Sequence, residues 1–212
     1  MTKVKICGIT RPDDAAKAVE LGAWAIGLNH WDQSPRLIEP AVAAEIGRGL
    51  KRQVEVAGVF VNPTLDEVDD AVENAELTMV QLHGDEGPSF CSEVARRTGA
   101  KVIKAFRVRS TEQVREAEAF RVDYHLLDAH RTGLPGGTGH SFDHELIAER
   151  SSKIPLILAG GLMPSTVAEA ISTVRPFAVD VATGVESEPG VKDPALMEAL
   201  FEAVPGAVSA EA

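Results

Sequence analysis

The chain has 212 residues, 44% of them hydrophobic and 25% charged, the balance of an ordinary globular protein long enough to bury a sizeable core. Its formal net charge of −11 sets long-range repulsion against nucleic acid and anionic membranes, so any anionic ligand has to be held by local groups. The only cysteines, Cys7 and Cys91, make no disulfide framework, no Cys/His cluster has zinc-like spacing, and no apolar run approaches the roughly 18 residues of a membrane helix, so a cytoplasmic protein without nucleic-acid or membrane partners is expected.

Short runs rich in valine, isoleucine and leucine predict strands at 3–7, 24–28, 54–61, 77–82, 101–106, 124–128, 154–159 and 177–182. Most are continuous rather than alternating, the pattern of parallel strands covered on both faces. Helix starts lie between them. Thr64 with Glu67 three residues on is a capping box ahead of Leu65, Val68 and Val72, and Ser110 with Gln113 repeats the device. Asp193 followed by Pro194 reads as an N-cap with proline at the first helical position, before Leu196, Leu200 and Val204. Strand–helix units repeat at intervals of about 20 to 30 residues without a long linker, which predicts one (β/α)8 TIM barrel of the α/β class over residues 1–212, with 205–212 a frayed tail. An open doubly wound sheet fits less well, because the turn in KICGITRPDD lacks the glycine-rich dinucleotide fingerprint.

Such a barrel places its active site at the C-terminal ends of the strands. Those ends carry Cys7, Asn29, Asn62, His83, Arg107, Asp128, Gly160 with Gly161, and Thr183 with Gly184, a polar rim on an apolar barrel. Cys7, closing VKICGIT, is either a small packing residue or a reagent. Asp128 follows Leu126 and Leu127; it is a partly desolvated carboxyl poised to carry a proton near neutral pH, or a solvated strand-end carboxylate or helix cap. Arg36, in QSPRLI, is placed to grip a carboxylate or phosphate bidentately, or is a surface arginine paired with a nearby acid.

Gly160 and Gly161 in AGGLMPS, with Thr183 and Gly184 in ATGVESEPG, read as a phosphate cup, because glycine lets backbone N–H groups approach an anion closely. Two such loops at the seventh and eighth strands argue against tight turns alone. The stretch GLPGGTGHSF, residues 133–142 with Gly137 at its centre, is not a nucleotide P-loop; it is a loop that closes over a ligand or a flexible connection. The six histidines show no metal-binding spacing, so no metal is expected, and His83 in QLHGDE is the one placed to touch a ligand. Cys91, in SFCSEVARR, reads as a packing residue of a helix. The expected partner is a small phosphorylated substrate, bound by a monomer or a homodimer.

Taken in order, VKICGIT, SPRLI, GVFVN after Ala57, VQLHGDE, VIKAFRV, LLDA, GGTGHSFD, ILAGGLMP and AVDVATGVESEPGVKD resemble the signature of the phosphoribosylanthranilate isomerase family of tryptophan biosynthesis, over residues 3–194. The resemblance implies a cofactor-free Amadori rearrangement of N-(5-phosphoribosyl)anthranilate to 1-(2-carboxyphenylamino)-1-deoxyribulose 5-phosphate. It makes Asp128 the general acid that protonates the furanose ring oxygen, so that the ring opens to a Schiff base. Cys7 is then the base that removes the proton at C2, and the enolamine collapses to the ketone. A cationic Schiff base acidifies the neighbouring C–H, so a thiolate suffices if its pKa is lowered from about 8.5. By the same resemblance Arg36 holds the anthranilate carboxylate and the two-loop cup holds the phosphate.

The chain departs from the pattern in places. GLNHW, residues 27–31, stands where the family shows G-F-x-F, and Leu28 with Trp31 is expected to rebuild the apolar wall beside the anthranilate ring. Thr183 replaces a frequent serine but keeps a hydroxyl, and His144 stands where tryptophan commonly follows. Two alternatives differ in class. A related sugar-phosphate aminoaldose isomerase has aspartate at the first strand end, where this chain has Cys7, and a non-catalytic phosphate-binding barrel has no need of Cys7 or Asp128.

Overall fold

The computed structural model describes residues 1–128, 147 and 150–205; the 133–142 stretch with Gly137, His144 and residues 206–212 lie outside the described residues. Eight parallel strands, β1 (Lys3–Cys7), β2 (Ala25–Asn29), β3 (Glu55–Phe60), β4 (Met79–Leu82), β5 (Lys101–Arg107), β6 (Tyr124–Asp128), β7 (Leu156–Ala159) and β8 (Ala178–Val181), pair in sequence order and close with β8 against β1. The helices among the described residues are α1 (Pro12–Glu20), α2 (Pro40–Gly49), α3 (Leu65–Asn74), α4 (Pro88–Thr98), α5 (Thr111–Ala117), α6 (Val167–Val174) and α7 (Pro194–Ala203). After β8 comes a 3₁₀ turn, Thr183–Val185, and a short antiparallel pair, β9 (Glu186–Glu188) and β10 (Val191–Lys192). This is the (β/α)8 barrel expected from the strand pattern.

The helix starts form as their residues dictate. Thr64 accepts a hydrogen bond from the Glu67 amide and Glu67 answers with its carboxylate on the Thr64 amide, a complete capping box at α3. Ser110 accepts from the Gln113 amide at α5, but the Gln113 side chain accepts from the Arg109 amide and not from that of Ser110, so only half of the expected box forms; Asp193 accepts from the Ala195 and Leu196 amides with Pro194 at the first turn of α7.

Each strand divides its side chains by the period of two. One set, including Val4, Ile6, Ile26, Leu28, Val56 and Leu158, packs outward against the helices, each Ile or Leu there contributing about 1.5–3 kcal/mol by burial. The other set fills the barrel with Ala57, Met79, Ile103, Leu126, Ile157 and Ala178. Trp24, Tyr124 and Phe177 pack against that filling in mutual ring contact, centroids 5.2–5.4 Å apart, with the Lys3 ammonium over two of the rings.

Helix α2 approaches α3 so closely at Gly47 that a Cβ there would lie 1.8 Å from the Ala75 carbonyl oxygen. Gly47→Ala is therefore expected to destabilise the fold by about 1–3 kcal/mol, although alanine is the better helix former by ~1 kcal/mol. The midpoint of urea unfolding checks this; an increase would show that the backbone contact is easily relieved.

Candidate active site

β1 carries Cys7 to the rim, half-buried, two residues beyond Lys5 and therefore on the same inward face. Lys5 is fully buried. Its Nζ donates to Oδ1 of Asp180 at 2.8 Å, across the β1–β8 ladder where the two residues stand directly opposite each other. On the other side Cys7 faces Gly27 of β2. A Cβ on Gly27 would sit 2.7 Å from the Cys7 sulfur and 3.0 Å from the Lys5 nitrogen, so the missing side chain is what leaves room for thiol and ammonium together.

Burial and the charge of Asp180 push the Cys7 thiol up, outweighing Lys5 and Lys192, which pull it down. The condition set by the chemistry, a lowered thiol pKa, is therefore not met in the ligand-free niche, which is largely dry and whose nearest cation is already paired with a carboxylate.

Arg36 reaches over Gly8 into the loop beyond β8. Its Nε and Nη2 donate to the two carboxylate oxygens of Glu186 at 2.8 and 2.6 Å, and Nη2 lies 3.4 Å from Oγ1 of Thr183. A side chain on Gly8, where φ is 74°, would collide with Cδ of Arg36 at 2.4 Å. Glu186 also accepts from the Lys192 ammonium at 2.8 Å, and that ammonium donates to the carbonyls of Cys7 at 2.6 Å and Ala182 at 3.2 Å. Burial alone would raise the Glu186 carboxyl, but Arg36 and Lys192 hold it below the usual range. The guanidinium expected to meet a ligand anion thus also has a neighbouring acid, which fixes its orientation.

Gly160 and Gly161 adopt φ of 113° and 66°, backbone open only to glycine at low cost. A Cβ on Gly184 would lie 2.0 Å from the Leu162 carbonyl oxygen, so the loops after β7 and β8 touch next to Thr183. At the end of β6, Asp128 is partly exposed and its Oδ2 lies 4.0 Å from Nε2 of His83, whose Nδ1 is 3.4 Å from the Gln81 amide nitrogen. Burial pushes the His83 imidazole below its ordinary value despite the pull of Asp128.

The structure therefore gathers Cys7, Arg36, Thr183 and Gly184 at one side of the rim and Asp128 with His83 at another. Gly137 is outside the described residues. Asn29 and Asn62, also at strand ends, are tied into turns: the Asn29 side chain accepts from the Trp31 amide and the Asn62 side chain from the Asp85 amide. Lys5, Gly27, Asp180, Glu186 and Lys192 went unmarked in the sequence reading. A signal for two of them existed, since Lys5 in VKIC and Asp180 in AVDVA are charges inside apolar parallel strands on the inward parity.

Leu28 corrects another expectation. It is fully buried among the outward-facing residues against the helices, so it cannot border a ligand inside the barrel mouth. Trp31 lines a cavity of about 520 Å³ with His30, Phe60, Asn62 and Ala71, on walls that include none of Cys7, Arg36 or Asp128. His30 stacks on Phe60, centroids 4.9 Å apart, and its Nε2 is buried without a hydrogen-bond partner among the described residues. Burial lowers its pKa to about 4.

A histidine depressed in this way favours folding above its unfolded pKa of about 6.5, and that stability is lost as pH falls from there to about 4, where the folded imidazole also takes a proton. The full difference is roughly 3 kcal/mol. His30→Phe is expected to abolish that part of the acid sensitivity, seen as a smaller drop in the unfolding midpoint between pH 7 and pH 5; an unchanged drop would assign it elsewhere.

Cys91, on α4, is buried in the core, its thiol pushed up to about 11 by burial, as a packing residue should be. Among the described residues no group of three or more His, Cys, Asp or Glu side chains is placed to hold a metal ion, and no helix is long and apolar enough to cross a membrane.

Residues 4–203 match a family model described as N-(5'-phosphoribosyl)anthranilate (PRA) isomerase. A relative named N-(5'-phosphoribosyl)anthranilate isomerase from Geotalea uraniireducens is 48% identical over 206 residues, covering 97% of this chain and 100% of its own. The crystal structure of phosphoribosyl anthranilate isomerase from Thermotoga maritima is similar with a TM-score of 0.86 and 40% identity, over 96% of this chain and 98% of that one. A crystal structure of the same kind of enzyme, in complex with reduced 1-(o-carboxyphenylamino)-1-deoxyribulose 5-phosphate, is similar with a TM-score of 0.83 and 38% identity over the same shares.

Proposed function

Because this chain belongs to the N-(5'-phosphoribosyl)anthranilate isomerase family, we propose that it performs the isomerisation with Asp128 as general acid and Cys7 as base. The reaction is the Amadori rearrangement of N-(5'-phosphoribosyl)anthranilate to 1-(2-carboxyphenylamino)-1-deoxyribulose 5-phosphate, in tryptophan biosynthesis. The observation that supports the assignment is that a thiol at the end of β1, a carboxyl at the end of β6 and two touching glycine loops share one barrel mouth.

Substrate phosphate docks on the backbone of Gly160, Gly161 and Gly184, with the Thr183 hydroxyl beside it. Arg36 receives the anthranilate carboxylate on the edge of the guanidinium not taken by Glu186. Asp128 gives its proton to the furanose oxygen as the anilino nitrogen lone pair forms the C=N bond and the C1–O bond breaks. The product is a cationic Schiff base, with Asp128 left as a carboxylate. Cys7 takes the C2 proton, its electron pair neutralises the iminium nitrogen, and the enolamine tautomerises to the ketone. The cation made in the first step also acts on Cys7, favouring the thiolate that the ligand-free niche disfavours. His83 faces the acid and keeps Asp128 at the rim.

The wild-type chain, treated with a chelator, should turn over freshly generated phosphoribosylanthranilate and leave the aminoaldose of the histidine pathway unreacted. The reverse preference would move it to the related aminoaldose isomerases, and binding of the reduced product without turnover of either substrate would make it a binding barrel.

A further inference from the structure

Three features of the barrel interior converge on a residue that neither the family's name nor the reaction assigns. Lys5 is a fully buried lysine whose ammonium is 2.8 Å from Asp180, its direct neighbour across the β1–β8 ladder. It occupies, with the Cys7 sulfur, the niche that Gly27 leaves open, both atoms within 3.0 Å of the place where a side chain on Gly27 would begin. Its ammonium is the cation on the neighbouring inward position of the same strand as Cys7, and it pulls against the burial that pushes the thiol up.

A buried ion pair is costly to desolvate and contributes little stability over a hydrophobic replacement, so a lysine held here needs another use. Ammonium N–H groups only donate, and a thiolate accepts far better than a thiol.

We propose that Lys5 is a positioning residue for the isomerisation: fixed by Asp180 and given room by Gly27, its ammonium holds the Cys7 sulfur in place and stabilises its thiolate. This rests on Cys7 being the base. Asp180 orients the ammonium but also repels the thiolate, so the two members of the pair act on Cys7 with opposite sign. The other charges that face Cys7 are the Lys192 ammonium, on its carbonyl oxygen at 2.6 Å, and the Arg36 guanidinium from the loop after β2; Gly27 on β2 brings none.

The experiment measures iodoacetamide modification of Cys7 against pH in the intact chain, read from the Cys7 peptide by mass spectrometry so that Cys91 does not contribute. Lys5→Met is expected to move the midpoint up by about one unit, making modification at pH 7 about tenfold slower, whereas Lys5→Arg stays within about threefold of wild type. Asp180→Asn moves the midpoint down. In turnover, Lys5→Met lowers kcat about tenfold at pH 7, recovers at higher pH and changes KM by less than about threefold.

A Lys5→Met chain that binds the reduced product but keeps the wild-type midpoint and pH–rate profile overturns the proposal. Should that variant not fold, a Lys5→Gln chain that folds and keeps the wild-type midpoint overturns it equally. Failure of the underlying assignment looks different: Cys7→Ser would then turn over at the wild-type rate, while the modification arm, which needs no turnover, still reports on Lys5.

Discussion

Asp128→Asn is expected to lower kcat/KM for phosphoribosylanthranilate by about 10²–10⁴-fold, the range typical of losing a positioned general acid. Asparagine keeps the size of the side chain and its place 4.0 Å from His83, so the rim should hold its shape. What is lost is the proton for the ring oxygen. A ring that opens without it must expel an alkoxide, a much poorer leaving group. The reduced product has no ring left to open, so its affinity for the variant, measured by calorimetry, should match wild type. Activity within tenfold of wild type would remove Asp128 from the acid role.

Cys7→Ser should be comparably severe, a loss of about 10²–10⁴-fold in kcat with KM little changed. Serine differs by one atom and fits the niche beside Gly27, where a Cβ would already stand only 2.7 Å from the sulfur. Its hydroxyl, however, titrates far above a thiol, and even beside the Lys5 ammonium the alkoxide is inaccessible at neutral pH. Loss in KM rather than kcat would make Cys7 a binding residue.

Much of this was legible from the chain itself, for a physical reason. Parallel strands covered on both faces must be apolar throughout, so the eight runs stood out, and a barrel then dictates that their ends hold the chemistry. That logic reached Cys7, Asp128, Arg36, His83 and the two glycine loops. It missed what depends on closure. Lys5 and Asp180 are 175 residues apart and become neighbours only when β8 returns to β1, so although each is a charge inside an apolar strand, their pairing and its effect on the Cys7 thiol cannot be read locally. Glu186 and Lys192 belong to a small hairpin after the last strand, which clamps Arg36 and the Cys7 carbonyl. The misplacement of Leu28 was avoidable. It lies one residue beyond Gly27, which faces the niche, and the strand period of two therefore turns it outward.

Two residues acting on two successive proton transfers leave a kinetic mark that two residues acting in one transition state do not. If Asp128 governs ring opening and Cys7 the later C2 step, losing both adds the two delays. The measurement that tests this is kcat/KM of the Cys7→Ser, Asp128→Asn double variant beside the two single variants. Sequential roles predict a double variant no more than about twofold slower than the slower single variant. Losses that multiply would contradict them, placing both groups in a single concerted step.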